Sequence, residues 1–189
     1  MTDALQGKTI AFLVSNDGVE QVELTAPWQR VEQEGGRPVL VAPESGEVRA
    51  RNGDVDPGDT FGVDRTVGEV GATDFGGVVV PGGTTNADRL RLDTAAVDLL
   101  RDVVTHRIPV AAICHGPWML VEADVVRGKT LTSFPSLRTD ITNAGGTWTD
   151  VEVFVCGAAG WMLTTSRTPG DLPAFCDAMV EQFDNDDVE

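Results

Sequence analysis

Lysine is almost missing from this chain. Of 189 residues only Lys8 and Lys129 are lysines, and 14 Lys plus Arg stand against 30 Asp plus Glu, a formal net charge of -16 at pH 7. A surface so poor in cations repels a polyphosphate backbone, which excludes nucleic acid as a partner. The acids are spread along the chain rather than run together, apart from the tail at 184–189. Repulsion on that scale destabilises a compact state at low ionic strength, and molar salt, which shortens the Debye length to ~3 Å, relieves it. The composition therefore points to a high-salt, halophilic cytosol. Cysteine is scarce too: Cys114, Cys156 and Cys176 form an odd set without Cys-x-x-Cys, so neither a disulfide framework nor a zinc knuckle is encoded, and the expected compartment is reducing. No stretch approaches the ~18 consecutive apolar residues of a membrane span, and residues 1–8 lack the series of basic, apolar and cleavage segments of a secretion signal. The expectation is a cytoplasmic chain with no membrane partner.

What is present is ordinary globular material, 41% hydrophobic with 21 Gly and 10 Pro, of a length that suits one domain over 1–189, with its core at about 8–183 and an acidic tail at 184–189. Apolar runs at 8–15, 37–42, 77–80 and 109–113 read as buried strands, and late strands are expected at 151–155 and 162–165. Helical spacing marks 20–34, with Pro27 inside it and Gly35-Gly36 as its stop, then 92–106, 116–123, 135–143 and 171–183. Residues 43–76, with a hairpin turn at Asn52-Gly53 between strands near Val48 and Val55, read as peripheral decoration. Alternating strands and helices specify a three-layer α/β sandwich on a mainly parallel sheet, with ligands at the carboxyl ends of the strands.

Three such strand ends carry chemistry: 15–20, 80–83 and 113–116. Cys114 stands where a buried strand turns into a helix, in Ala111-Ala112-Ile113-Cys114-His115-Gly116-Pro117. An elbow exposes a side chain there, and the helix start offers free N–H groups and positive dipole, surroundings that favour a thiolate nucleophile. Cys156 and Cys176 read as packing residues. Of the two histidines, His106 suits a helix C-terminus, which leaves His115 as the candidate base. The His115 amide, following the nucleophile, suits an oxyanion hole, with Gly82 or Gly83 as the second donor. Asp17 and Glu23 are read as helix-start carboxylates, whereas Glu20 lies where it could reach across the strand ends to Cys114.

These segments, Val19 to Leu24 (VEQVEL), Pro81-Gly82-Gly83, Ala111 to Pro117 (AAICHGP), Val126 to Lys129 and Thr165-Ser166-Arg167, resemble in order and spacing the PfpI-like intracellular protease and deglycase family of the class I glutamine amidotransferase-like superfamily. The likeness covers about 8–183. It implies a flavodoxin-like fold, Cys114 as nucleophile, Glu20 as its carboxyl partner and His115 beside it. It also implies an acid after the Pro-Gly-Gly turn that completes the site across a subunit contact, at the position of Asp88, and hence a homodimer or higher homo-oligomer. Two departures stand out. The acid is Asp rather than Glu after a longer turn, and Cys156 to Trp161 (CGAAGW) replaces a short Asp-Gly-Asn hairpin.

The implied activity is of glyoxalase III or deglycase type: Cys114 adds to a small 2-oxoaldehyde or its early glycation adduct, Glu20 or His115 moves a proton between the two carbons, and neither metal nor cofactor takes part. One alternative is a PfpI-type cysteine peptidase or amidase, with His115 donating to the leaving amine. Another is a stress chaperone or redox sensor in which Cys114 oxidises reversibly. No histidine follows His115, which speaks against a true glutamine amidotransferase. From the charge alone the melting temperature should rise as salt is raised from ~0.1 M toward molar concentration, measured by calorimetry; a salt-independent value would contradict the halophilic reading.

Overall fold

The computed structural model describes residues 3–185, so most of the acidic tail lies outside the described residues. In chain order the elements are β1 (Thr9–Leu13), β2 (Asp17–Glu20), α1 (Gln21–Gln33), β3 (Arg37–Ala42), β4 (Glu47–Asn52), β5 (Asp56–Gly62), β6 (Arg65–Thr66), β7 (Gly77–Val80), α2 (Thr84–Leu90), α3 (Thr94–Thr105), β8 (Val110–Ile113), α4 (Pro117–Glu122), β9 (Thr130–Leu131), α5 (Arg138–Asn143), β10 (Thr147–Trp148), β11 (Val153–Cys156), β12 (Leu163–Ser166) and α6 (Leu172–Asp184). The central sheet runs β11-β12-β8-β7-β1-β3-β6, parallel throughout except for β11. This is a flavodoxin-like three-layer α/β fold.

Alternation along the buried strands builds the two outer layers, because successive side chains of a strand point to opposite faces. Ala11 and Leu13 of β1, with Val78 and Val80 of β7 and Val110 and Ala112 of β8, meet Leu90, Val97, Leu100, Val103 and Met119 from α2, α3 and α4. Ile10, Phe12, Val79, Ala111 and Ile113 face the other way, onto Leu24 and Val31 of α1 and Phe175, Met179 and Phe183 of α6. Every strand of this set is buried on both sides, which is why the runs read as continuously apolar. Helix α1 carries Pro27 within it on the buried face.

From β1 the chain crosses to β3 and β6 on one side of the sheet, then returns through β7 to β8 and β12 on the other. Strand order thus reverses between β1 and β7, and the crevice at their carboxyl ends is where such folds take ligands. The structure changes several expectations here. Residues 17–20, part of the strand end at 15–20 from which a helix was expected to start at Glu20, form β2, which pairs in parallel with β4 in a second sheet, β2-β4-β5. A separate helix, α2, occupies 84–90, where the pattern suggested a turn before a helix at 92–106; Leu92 is left exposed. Val55 is part of the hairpin turn rather than a strand.

Lys129 accounts for the unusual Cys156 to Trp161 stretch. Its side chain is buried, its Nζ donates to the carbonyls of Cys156, Ala158 and Trp161, and it lies 3.9 Å from the centroid of the Trp161 ring. One ammonium with three carbonyl acceptors and an aromatic face holds the loop that joins β11 to β12. Among the described residues no helix is long and apolar enough to cross a membrane.

Candidate active site

Three strand ends and one hairpin tip converge on Cys114. The strand β8 ends at Ile113, and Cys114 then takes a left-handed backbone conformation, φ 59°, before α4 begins at Pro117. A non-glycine residue at positive φ is strained, and such strain concentrates where a side chain must be aimed. The elbow is tied on both sides: the Cys114 amide donates to the Ser166 carbonyl at 3.1 Å, and its carbonyl accepts from the Phe134 amide at 2.9 Å. The side chain is turned inward, and the residue is only 7% exposed.

The Pro81-Gly82-Gly83 turn after β7 lies against this elbow. A Cβ on Gly82 would meet Glu23 Oε2 at 2.5 Å and the Cys114 Cβ at 2.7 Å, so no larger residue fits between them. Gly83 has φ 91°, a conformation that glycine adopts without steric cost. Asn86, fully buried at the start of α2, locks the turn to the end of β1. Its Oδ1 accepts from the Ser15 amide at 2.7 Å, and its Nδ2 donates to the Pro81 and Gly82 carbonyls at 3.1 and 3.0 Å.

The position beside the sulfur expected of Glu20 is held by Glu23. Its side chain is buried, Oε2 accepts from the Gly82 amide at 2.8 Å, the carboxyl hydrogen-bonds the Cys114 sulfur, and Oε1 has no further partner. Burial pushes the Glu23 carboxyl up to about 8, with the charges of Glu20 and Asp54 adding to the rise, so the group is a neutral acid at pH 7. Residue 20 ends β2 and points instead to the hairpin, accepting from the Gly53 and Asp54 amides at 3.1 and 3.2 Å. Both carboxyls follow the same strand end three residues apart. The first turn of α1 carries Glu23 inward, and no sequence signal separates the two.

His115 lies next to the sulfur, with Nδ1 at 3.2 Å from Sγ. Its ring stacks on Phe134 at 4.7 Å between centroids and meets Trp118 at 5.3 Å. Burial lowers its pKa, and the charge of Asp54 opposes that shift, so the ring is neutral at pH 7. Sequence reasoning expected a depressed thiol pKa. The structure gives the reverse: burial pushes the Cys114 thiol up, the Glu23 charge adds to this whenever it is present, and hydrogen bonds from the Gly83 and His115 amides oppose it. The helix that was expected to favour the thiolate is short, six residues, and the sulfur is desolvated. The two amides that face the sulfur are those of Gly83 and His115; the Gly82 amide is already taken by Glu23.

The hairpin between β4 and β5, read from sequence as decoration, closes this side of the site. Asp54, at φ 67°, accepts from the Thr84 amide at 2.7 Å and from the Thr84 hydroxyl at 2.8 Å, and that hydroxyl is 3.4 Å from His115 Nε2. Asp88 is exposed on α2 and makes no hydrogen bond or ion pair among the described residues. His106 caps α3, its Nδ1 2.8 Å from the Asp102 carbonyl oxygen, and Cys156 and Cys176 are buried free thiols. Among the described residues no group of three or more His, Cys, Asp or Glu side chains is placed to hold a metal ion.

The buried Glu23 has a consequence for stability. The unfolded chain loses the proton of this residue near its ordinary value of 4.5, whereas the folded chain keeps it up to about 8. The folded state binds more protons throughout that window, so this contribution is full below pH 4.5 and is lost as pH rises to about 8. His115, with a lowered pKa, acts in the opposite sense below its ordinary value of 6.5. Glu23→Gln isolates the first effect: relative to the wild type, the variant should gain stability steadily between pH 5 and 8 in denaturant titrations. A difference that does not vary with pH would show that Glu23 is ionised in the fold.

Comparison with known proteins identifies the family. The family model described as DJ-1/PfpI family matches residues 8–182. A protein of Pyrococcus abyssi named Deglycase PYRAB04690 is 37% identical over 170 residues, 90% of this chain and 96% of that protein. Escherichia coli protein/nucleic acid deglycase 2 is 37% identical over 89% of this chain and 93% of its own length. Among solved structures, a two-domain protein of Anabaena variabilis with DJ-1/ThiJ/PfpI-like and ferritin-like domains superimposes with a TM-score of 0.83 at 32% identity; it matches 92% of this chain, which spans 47% of that longer one. By a family model that matches nearly its whole length and by relatives at 37% identity, this chain belongs to the DJ-1/PfpI family.

Proposed function

We propose that the chain is a cysteine-dependent enzyme of DJ-1/PfpI type that acts on small 2-oxoaldehydes or their early glycation adducts. The observation that carries this reading is the pair flanking Sγ, a buried carboxyl that keeps its proton at neutral pH and an imidazole nitrogen 3.2 Å away. An acid and a base on one sulfur suit addition to a carbonyl followed by proton movement. The names of the deglycase relatives support the substrate class. The depth of Cys114, 7% exposed, favours a compact aldehyde over a folded polypeptide.

In this mechanism the Cys114 thiol proton passes to His115 Nδ1 as the sulfur adds to the aldehyde carbon, and the carbonyl oxygen takes a proton from the Glu23 carboxyl, giving a hemithioacetal. The Gly83 and His115 amides, which face the sulfur, would stabilise the oxygen as charge develops. A base then removes the proton from the former aldehyde carbon and returns one to the adjacent carbon, while the hydroxyl proton of the first carbon is passed to the oxygen of the second, which converts the hemithioacetal to a thioester of a 2-hydroxy acid. Water hydrolyses the thioester and restores the thiol, so the net change is addition of one water to the 2-oxoaldehyde. With a hemiaminal adduct as substrate, the sulfur takes the place of the amine on the former aldehyde carbon, the amine leaves carrying the thiol proton, and the same hemithioacetal results. Glu20 supports the site through the hairpin. Asp88, exposed on α2, is the acid that a second copy of the chain would place against the first in the proposed homo-oligomer. We place the enzyme in the cytoplasm.

Methylglyoxal turnover, followed as formation of lactate, tests this reading. Cys114→Ser should abolish it, while Cys156→Ser and Cys176→Ser leave it intact. Glu23→Gln should lower kcat by about 10²-fold or more, the usual worth of a positioned acid or base, and by more than Glu20→Gln. Full turnover by Cys114→Ser would overturn the site, and cleavage of a fluorogenic peptide without turnover of the aldehyde would favour a peptidase.

A further inference from the structure

The hairpin tip reaches His115 through a single hydroxyl. Asp54 Oδ2 is 2.8 Å from Thr84 Oγ1, and Asp54 Oδ1 accepts from the Thr84 amide at 2.7 Å. Thr84 Oγ1 is 3.4 Å from His115 Nε2, and Ser136 Oγ is at the same distance on another side. Threonine has one hydroxyl proton, and an ionised carboxylate has none to give. The Thr84 proton is therefore committed to Asp54, and its oxygen turns a lone pair toward the ring. Facing that lone pair favours the proton on Nε2, with Ser136 Oγ able to serve as a second acceptor, and the other nitrogen of a neutral imidazole then has none.

We propose that Asp54, acting through Thr84, is a positioning residue that holds His115 in the Nε2–H tautomer and so presents an unprotonated Nδ1 to the Cys114 thiol. This rests on the catalytic reading above only in assigning a use to the tautomer. The orientation is required there, because Nδ1 cannot accept the thiol proton if it already bears one. The hairpin is held for the purpose: Glu20 accepts from the Gly53 and Asp54 amides, which fixes the turn that carries the carboxylate. Among the described residues no other charged side chain hydrogen-bonds its nitrogens. Glu23 lies on the sulfur side, Asp140 accepts from the Trp118 indole at 2.8 Å, the Arg91 guanidinium lies 5.5 Å from the Trp118 ring centroid, and Arg138 lies over Trp148. Asp54 is the carboxylate whose charge opposes the lowering of the His115 pKa.

The chain has two histidines, so His106→Gln leaves a single imidazole to observe. In 15N-labelled protein, long-range 15N–1H correlations at about pH 8 should show the Nε2–H tautomer of His115. Asp54→Asn lets the amide donate to Thr84 and frees the hydroxyl to donate to the ring, so it should shift the population toward Nδ1–H. Thr84→Val should also reduce the Nε2–H population, whereas Thr84→Ser should retain it. A near-ultraviolet circular dichroism spectrum checks that each variant is folded. In turnover, Asp54→Asn should lower kcat/KM by at least about tenfold, as expected for an imidazole in the wrong tautomer, and move its acid limb to lower pH. The Nδ1–H form in the parent, or an unchanged Nε2–H population in either folded variant, would overturn the proposal. Because the tautomer is read without substrate, it stands or falls separately from the choice of substrate.

Discussion

A carboxyl group sealed between a glycine amide and a thiol constrains everything around it. Glu23 is fully buried, and an ionised carboxylate there would lose its water without gaining a cation, so the fold keeps the proton instead. The neutral acid can lie against Cys114 without repelling it. It also requires Gly82, since a side chain at that position would overlap both the carboxyl and the cysteine. The Gly82 amide is then used by Glu23, and this leaves the Gly83 and His115 amides to face the sulfur.

The parallel sheet places these groups by topology rather than by local preference. The reversal of strand order between β1 and β7 opens the crevice, β8 supplies the elbow, and Asn86 fastens two of the strand ends together. The second, smaller sheet adds a part that the central sheet lacks. Its β2 carries Glu20 and leads into Glu23, and its β4–β5 hairpin brings Asp54 over the start of α2. A site assembled from so many elements sits at a junction where each group is fixed by a contact from a different segment. That suits chemistry requiring an acid and a base on one atom.

Much of the fold was legible because its determinants are local. Runs such as TIAFL, GVVV and VAAI can only be strands buried on both faces, and the amphipathic α3 and α6 follow from their spacing. The elbow that carries Cys114 and His115 was legible for the same reason, since it stands directly between a buried strand and a helix. The choice between Glu20 and Glu23 was not, because it depends on which carboxyl the first turn of α1 rotates inward. The role of the hairpin was equally hidden. A Gly- and Asp-rich segment carries no periodic signal, and only pairing of β2 with β4, a contact between distant segments, brings Asp54 to Thr84. Lys129 belongs to the same class: three carbonyls gathered around one ammonium leave no pattern in sequence.

The account rests on the protonation of Glu23. Infrared difference spectra of 13C-glutamate-labelled protein, wild type minus Glu23→Gln, report it without reference to any substrate. The prediction is a protonated carboxyl stretch from pH 5 to 7 that disappears with a midpoint near pH 8. A carboxylate band at pH 6, with no protonated carboxyl lost on substitution, would contradict it and remove the acid from the site.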